Sequence, residues 1–174
     1  MTPSSRASAR ISLMSKSFAH FERLVRIASD LCVASDVNDA EAHPFEERNI
    51  HPEIASVSMK LFDDGHYSQA TFEAFKFIDL EVKRVSGVNE SGHKLMMAAF
   101  SDSNPKIKLT RLVTASEIDE QGGYRFIFAG AMSAIRNPRG HEINIDPIGR
   151  CLDHLSFASV LLRRLDDRQL DAGL

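Results

Sequence analysis

Cysteine is scarce in this chain, tryptophan is absent, and no apolar run is long. Cys32 and Cys151 lie far apart, in no C-x-x-C pair and with no zinc spacing. That excludes a disulfide-stapled scaffold and points to a reduced, cytosolic chain with two ordinary thiols. A bilayer span needs roughly 18 to 20 consecutive apolar residues, and nothing approaches that, so no membrane partner is expected. Charge of one sign is not in excess either. The formal net charge of −3 gives no global pull on nucleic acid, so RNA or DNA binding has to rest on a local basic patch. What remains is a chain of 174 residues, 43% hydrophobic and 26% charged, enough for one domain with a sizeable core.

The first acid is Glu22, and the segment before it, MTPSSRASARISLMSKSF, is rich in Ser and Arg. An organellar transit peptide has that composition, but a short disordered tail is the commoner origin and is the expectation here. Phe18, Phe21, Leu24, Val25, Ala28, Leu31 and Cys32 recur at helical spacing and predict an amphipathic helix over about 17 to 33. DVNDAEAHPFEERNIHP is polar, acidic and broken by two prolines, and reads as a linker. Residues 1–50 are therefore expected to be a tail, a helix and an acidic linker. The main domain, 51–174, should start near His51.

From there the pattern is helical. Pro52 suits a first turn and EIASVSMKLFDDG stops at Gly65. In HYSQATFEAFKFIDLEVKRVSG, the residues Tyr67, Ala70, Ala74, Phe75, Phe77, Ile78, Val82 and Val85 share one broad arc, as in a central bundle helix. HKLMMAAFS is a short helix followed by the loop SDSNPKIKL, and GYRFIFAGAMSAIR is another apolar helix, with small residues at 129 to 131. The last helix, PIGRCLDHLSFASVLLRRLDDRQL, carries Ile148, Leu152, Leu155, Leu162 and Leu165 on one stripe. Strand alternation is scarce and no repeat is visible, so the fold class is all-α, a helical bundle with an extra N-terminal helix.

The stretch IRNPRGHE, residues 135–142, can be read as punctuation or as a site. Pro138 lacks a backbone N–H and disfavours helical geometry at Asn137, so the helix should end at Arg136 or Asn137. Gly140 offers a position where positive φ is free of cost. A stop signal needs only that proline and glycine. Two arginines, an asparagine and a histidine are more than it requires, although cations at a helix C-terminus do gain a few tenths of a kcal/mol.

R-N-P-R-G-H resembles the R-x-x-x-x-H motif of the HEPN superfamily, the higher eukaryotes and prokaryotes nucleotide-binding domains, in which a polar residue such as Asn137 typically follows the arginine. HPEIASVSMKLFDDGHYSQATFEAFKFIDLEVKRVSG, AFSDSNPKI, GYRFIFAGAMSAIRNPRGHE and LSFASVLLRRLD resemble one branch, the Ymh-type family of prokaryotic proteins, over roughly 51 to 168. The resemblance implies an all-α HEPN-like bundle, usually a homodimer whose two motif loops face each other. Many such proteins are metal-independent endoribonucleases of toxin–antitoxin, abortive-infection or CRISPR-linked antiviral defence systems. Others are non-catalytic and serve as nucleotide-binding or dimerisation modules, which is the alternative reading for this chain.

RNA brings its own nucleophile, the 2′-hydroxyl. Cleavage needs a group to take its proton, a group to protonate the leaving 5′-oxygen, and positive charge on the phosphorane. Histidine titrates near neutrality, and arginine forks two N–H donors onto phosphate oxygens. His141 is therefore the candidate general base or acid and Arg136 the phosphate clamp. Asn137 is a hydrogen-bond orienter and Arg139 a further substrate contact. Glu73, at the edge of the central arc, is placed to orient Arg136 or His141. Glu142 is a partner for His141 or simply a loop acid. One histidine and one arginine per chain are too few for acid, base and charge stabiliser, which a two-fold dimer remedies. No cofactor or metal is expected. The partners are an RNA substrate, a second copy of the chain, and an antitoxin or sensor protein, in the cytoplasm.

Other chemistries fit less well. The histidines at 51, 66, 93, 141 and 154 show neither i, i+4 pairing nor H-x-x-E-H spacing for a metal. Cys–His or Ser–His catalysis has no nucleophile elbow. Arg163, Arg164 and Arg168 lie beside Asp166 and Asp167, which is a mixed solvated face rather than an RNA groove.

Overall fold

Two His–Pro pairs open the helical body, and they open it the same way. His43 and His51 are N-caps whose ring Nδ1 accepts the backbone N–H two residues on, from Phe45 and Glu53, each at 3.2 Å. Pro44 and Pro52 follow at the first helical position, where their missing N–H is not needed. With Nδ1 as acceptor, the proton sits on Nε2, which donates to Asp63 at 2.9 Å and to Asp166 at 3.1 Å. The structure, a computed structural model, describes Val25, residues 42–141 and residues 146–171. The chain divides after Ala42 into two units, the second running from His43 onward. But for Val25, the helix expected over 17 to 33 lies outside the described residues.

This unit is all-α, with no strand among the described residues. Its elements are α1 (Pro44–Glu47), α2 (Pro52–Asp63), α3 (Tyr67–Ser86), α4 (Gly92–Ala99), α5 (Ala115–Ala131), a π turn (Met132–Arg136), α6 (Asn137–His141) and α7 (Ile148–Asp171). The central helix α3 packs against α2, α4, the π turn, α6 and α7. Its buried arc holds Ala70, Ala74, Phe75, Ile78 and Val82, as the periodicity predicts. Burying the larger of these stabilises the fold by about 1.5–3 kcal/mol each.

Three sequence expectations change. Residues 43–50, expected to end a linker, are part of the body: Phe45 and Ile50 are buried in the core. Arg48 reaches Asp153 at 2.6 Å, and Arg163 donates to the Asn49 carbonyl at 2.6 Å. The polar surface of HPFEERNIHP hides two apolar anchors spaced too sparsely to show a period. Next, α5 begins at Ala115, well before GYRF, because Thr114 and Glu117 form a reciprocal capping box. Gln121 is buried there and ties the preceding loop, accepting from Leu109 N–H at 2.8 Å and donating to the Ile107 carbonyl at 3.0 Å. Finally, Ile148 is exposed, whereas Leu152, Leu155, Leu162 and Leu165 line the core with Cys151, Ala158 and Leu161.

Candidate functional site

Pro138 does not stop the helix. The Asn137 N–H donates to the Met132 carbonyl, five residues back, and both Asn137 and the preceding turn stay helical. Such a widened π turn gives the proline ring room where a regular turn would set it against the carbonyl of residue i−4. The chain then continues helically to His141. The motif is therefore carried on a rigid helical segment instead of a loop. Gly140 is helical too and has no positive φ. Its small size serves close approach: a Cβ there would stand 3.0 Å from Phe72 Cε2.

Arg136 lies half-buried at the end of the π turn. Its guanidinium stands 5.6 Å from the centre of the Phe72 ring, and Lys76 Nζ is 5.8 Å from the same centre. Asn137 Oδ1 accepts from Arg136 Nη1 at 3.2 Å. Nε of Arg136 is buried with no hydrogen-bond partner among the described residues. So Arg136 is held on an aromatic surface and by one amide, with no carboxylate paired to it among the described residues. His141 is exposed and makes no hydrogen bond or ion pair among the described residues. Glu142 lies outside them.

Two expected site residues are used otherwise. Arg139 is a structural clamp: its side chain, 9% exposed, donates through Nε and Nη2 to Asp146 at 2.5 and 2.8 Å, and through Nη1 to the Ile135 carbonyl at 2.7 Å. Those contacts, made to a carboxylate that is itself 1% exposed, leave it no edge to offer a substrate. Glu73 is engaged along its own helix, by Lys76 at 3.1 Å and Gln69 at 3.0 Å, and reaches neither Arg136 nor His141.

Two residues enter the site unannounced. Asp79 is buried at 4% exposure on the apolar arc of α3, and its Oδ1 accepts the Gly92 N–H at 2.6 Å. Gly92 has φ +60°, a backbone that favours glycine. A Cβ there would come 3.9 Å from Arg136 Nη1. Asp79 thereby pins the start of α4 against Arg136. The next residue, His93, is exposed and its Nδ1 lies 3.2 Å from Ser133 Oγ on the π turn. An acid inside an apolar arc was the available signal for Asp79. His93 gave none, since its partner is 40 residues away.

Behind the motif, the Arg139–Asp146 pair perturbs its neighbours on α7. Burial pushes the Cys151 thiol up, with the Asp146 charge acting the same way and the Thr71 hydroxyl and Arg139 opposing. Burial and then the Arg139 charge lower His154, against the pull of Asp146. Both groups therefore favour the neutral form. Among the described residues, no three His, Cys, Asp or Glu side chains are grouped to hold a metal ion, and no helix is long and apolar enough to cross a membrane.

A family model described as "Protein of unknown function (Hypoth_ymh)" matches residues 48–165. The chain belongs to the Hypoth_ymh family. No curated protein and no solved structure matches it. The Hypoth_ymh match takes in α2 to α6 and most of α7, and with them Phe72, Asp79, His93, Arg136 and His141. It begins beyond Phe45, although Phe45 packs in the same core.

Proposed function

We propose that this chain is a HEPN-like, metal-independent endoribonuclease that cleaves RNA by attack of the 2′-hydroxyl on the adjacent phosphate. The observation that carries the reading is the division of labour within R-N-P-R-G-H. Arg139 and Gly140 are taken up by the fold, while Arg136 and His141 keep their chemistry available. Arg136 meets the phosphate oxygens with Asn137 fixing the guanidinium plane, and His141 transfers a proton. The products are a 2′,3′-cyclic phosphate and a 5′-hydroxyl. Lys76, beside Phe72, is ion-paired with Glu73 and borders this surface.

A homodimer belongs to this reading, and α5 offers a face for it. Phe126 and Ile127 are 59% and 42% exposed, with exposed Gly123 and Gly130 on either side. A two-fold axis between Phe126 and Ile127 sets Gly123 of one antiparallel helix opposite Gly130 of the other, which lets like faces approach closely. In that pairing the two motifs stand at opposite ends of the helix pair, each beside the first turns of its partner's α5, so the dimer carries two separate grooves. In the cell the enzyme would act on cytoplasmic RNA in a toxin–antitoxin or abortive-infection defence system, restrained by an antitoxin or sensor protein.

The test is purified protein with total RNA in EDTA beside a His141→Ala control, with the product termini determined. Wild-type cleavage leaving 2′,3′-cyclic phosphates, lost in the variant, supports the reading. Tight RNA or nucleotide binding without cleavage would replace it with the non-catalytic HEPN-like module.

A further inference from the structure

A single imidazole per motif leaves one of the two proton transfers without an agent inside the chain. The structure places a second imidazole against the same turn. Ser133 Oγ sits 3.2 Å from the Ala129 carbonyl, which can only accept, so the hydroxyl proton goes there. The Ser133 oxygen then accepts from His93 Nδ1–H across 3.2 Å. With Nδ1 carrying the proton, the neutral ring has its lone pair on Nε2. His93 follows Gly92, the residue that lies against Arg136 Nη1, and Asp79 holds that corner from beneath.

We infer that His93 is a catalytic residue of this site, the general base that takes the 2′-hydroxyl proton, with His141 as the acid. The inference rests on the ribonuclease reading above. In the step, His93 Nε2 removes the proton from O2′, and O2′ bonds to phosphorus while Arg136 holds the non-bridging oxygens. The bond from phosphorus to O5′ breaks, and O5′ takes its proton from the His141 imidazolium. No oxidant, reductant or metal enters the balance. Ser133 is the positioning residue that selects the His93 tautomer, as a second hydrogen bond commonly does for a working imidazole. Among the described residues, the charged groups near His93 include Glu90 and Lys94 in sequence, and Asp79 and Arg136, which both lie against Gly92. The site then holds acid, base and clamp within one chain, so the second subunit adds charge and surface, with no proton-transfer duty.

The experiment is single-turnover cleavage of a short oligoribonucleotide in EDTA, as a function of pH, by wild type, His93→Ala and His141→Ala. A base must be deprotonated to act, so kcat/KM rises with pH on the limb that reports His93. His93→Ala should lose about 10²- to 10⁴-fold in rate together with that acidic limb, whereas His141→Ala should lose the alkaline one. Added imidazole should restore part of the His93→Ala rate, which a merely structural histidine would not show. If wild type cleaves and His93→Ala matches it in rate and in both limbs, the role of His93 is overturned while the ribonuclease reading stands. If wild type does not cleave, both fall.

Discussion

Gly140 and Phe72 are in contact such that a single added carbon on Gly140 would lie 3.0 Å from the ring edge. The same ring carries Arg136 at 5.6 Å from its centre. Gly140→Ala should therefore displace Phe72 and loosen Arg136, lowering both stability and activity. Gly122→Ala, where an added carbon meets only Asp102 Oδ1 at an ordinary 3.7 Å, should instead stabilise by roughly 0.5–1 kcal/mol through helix propensity. Urea denaturation of the two variants checks this, and equal effects would contradict it.

Arg139 and Asp146 form a buried pair with side chains 9% and 1% exposed. Removing one partner of such a pair strands the other charge and typically costs about 3–5 kcal/mol. Arg139→Ala and Asp146→Ala should each fall in that range by denaturant unfolding, and the double variant should lose less than their sum. Arg136→Ala, which strands no carboxylate, should cost much less.

Phe45 and Ile50 predict where the domain can be cut. A chain starting at His43 should keep the stability of the unit, whereas one starting at His51 loses two buried side chains worth about 1.5–3 kcal/mol each. Thermal unfolding of the two truncations separates them. Equal midpoints would show that α1 contributes little.

His154 makes stability depend on pH in a defined direction. Its folded pKa lies below its ordinary value of 6.5, first through burial and then through Arg139. Below the unfolded pKa, the unfolded chain therefore binds the proton more readily than the folded one. The contribution is present above pH 6.5 and is lost as pH falls through the folded pKa. His154→Gln should flatten the decline in stability between roughly pH 7 and 5. An unchanged slope would assign that decline to other groups.

The helices were legible because α2, α3 and α7 each repeat apolar residues on one face. Phe45 and Ile50 were not, since two anchors in a polar stretch set up no period. The first turns of α5 were hidden by their polarity and by Gly122 and Gly123. Their signal was Thr114 with Glu117 three residues on. Pro138 misled because a proline reads as a stop unless a π turn precedes it, and nothing local in MSAIR announces one. Arg136 and His141 came from the motif. Telling Arg139 from Arg136 required Asp146, which declares itself as a buried partner only in the fold.

In the proposed reaction Arg136 is the arginine that meets phosphate, and one rate tests that role. It is the rate of RNA cleavage in EDTA by Arg136→Lys relative to wild type. Lysine keeps the charge and loses the planar fork, and removing one preorganised donor to a developing oxyanion costs about 10²- to 10³-fold. A fall of that size in a variant that still unfolds like wild type is the predicted result. Cleavage by Arg136→Lys at the wild-type rate would contradict it.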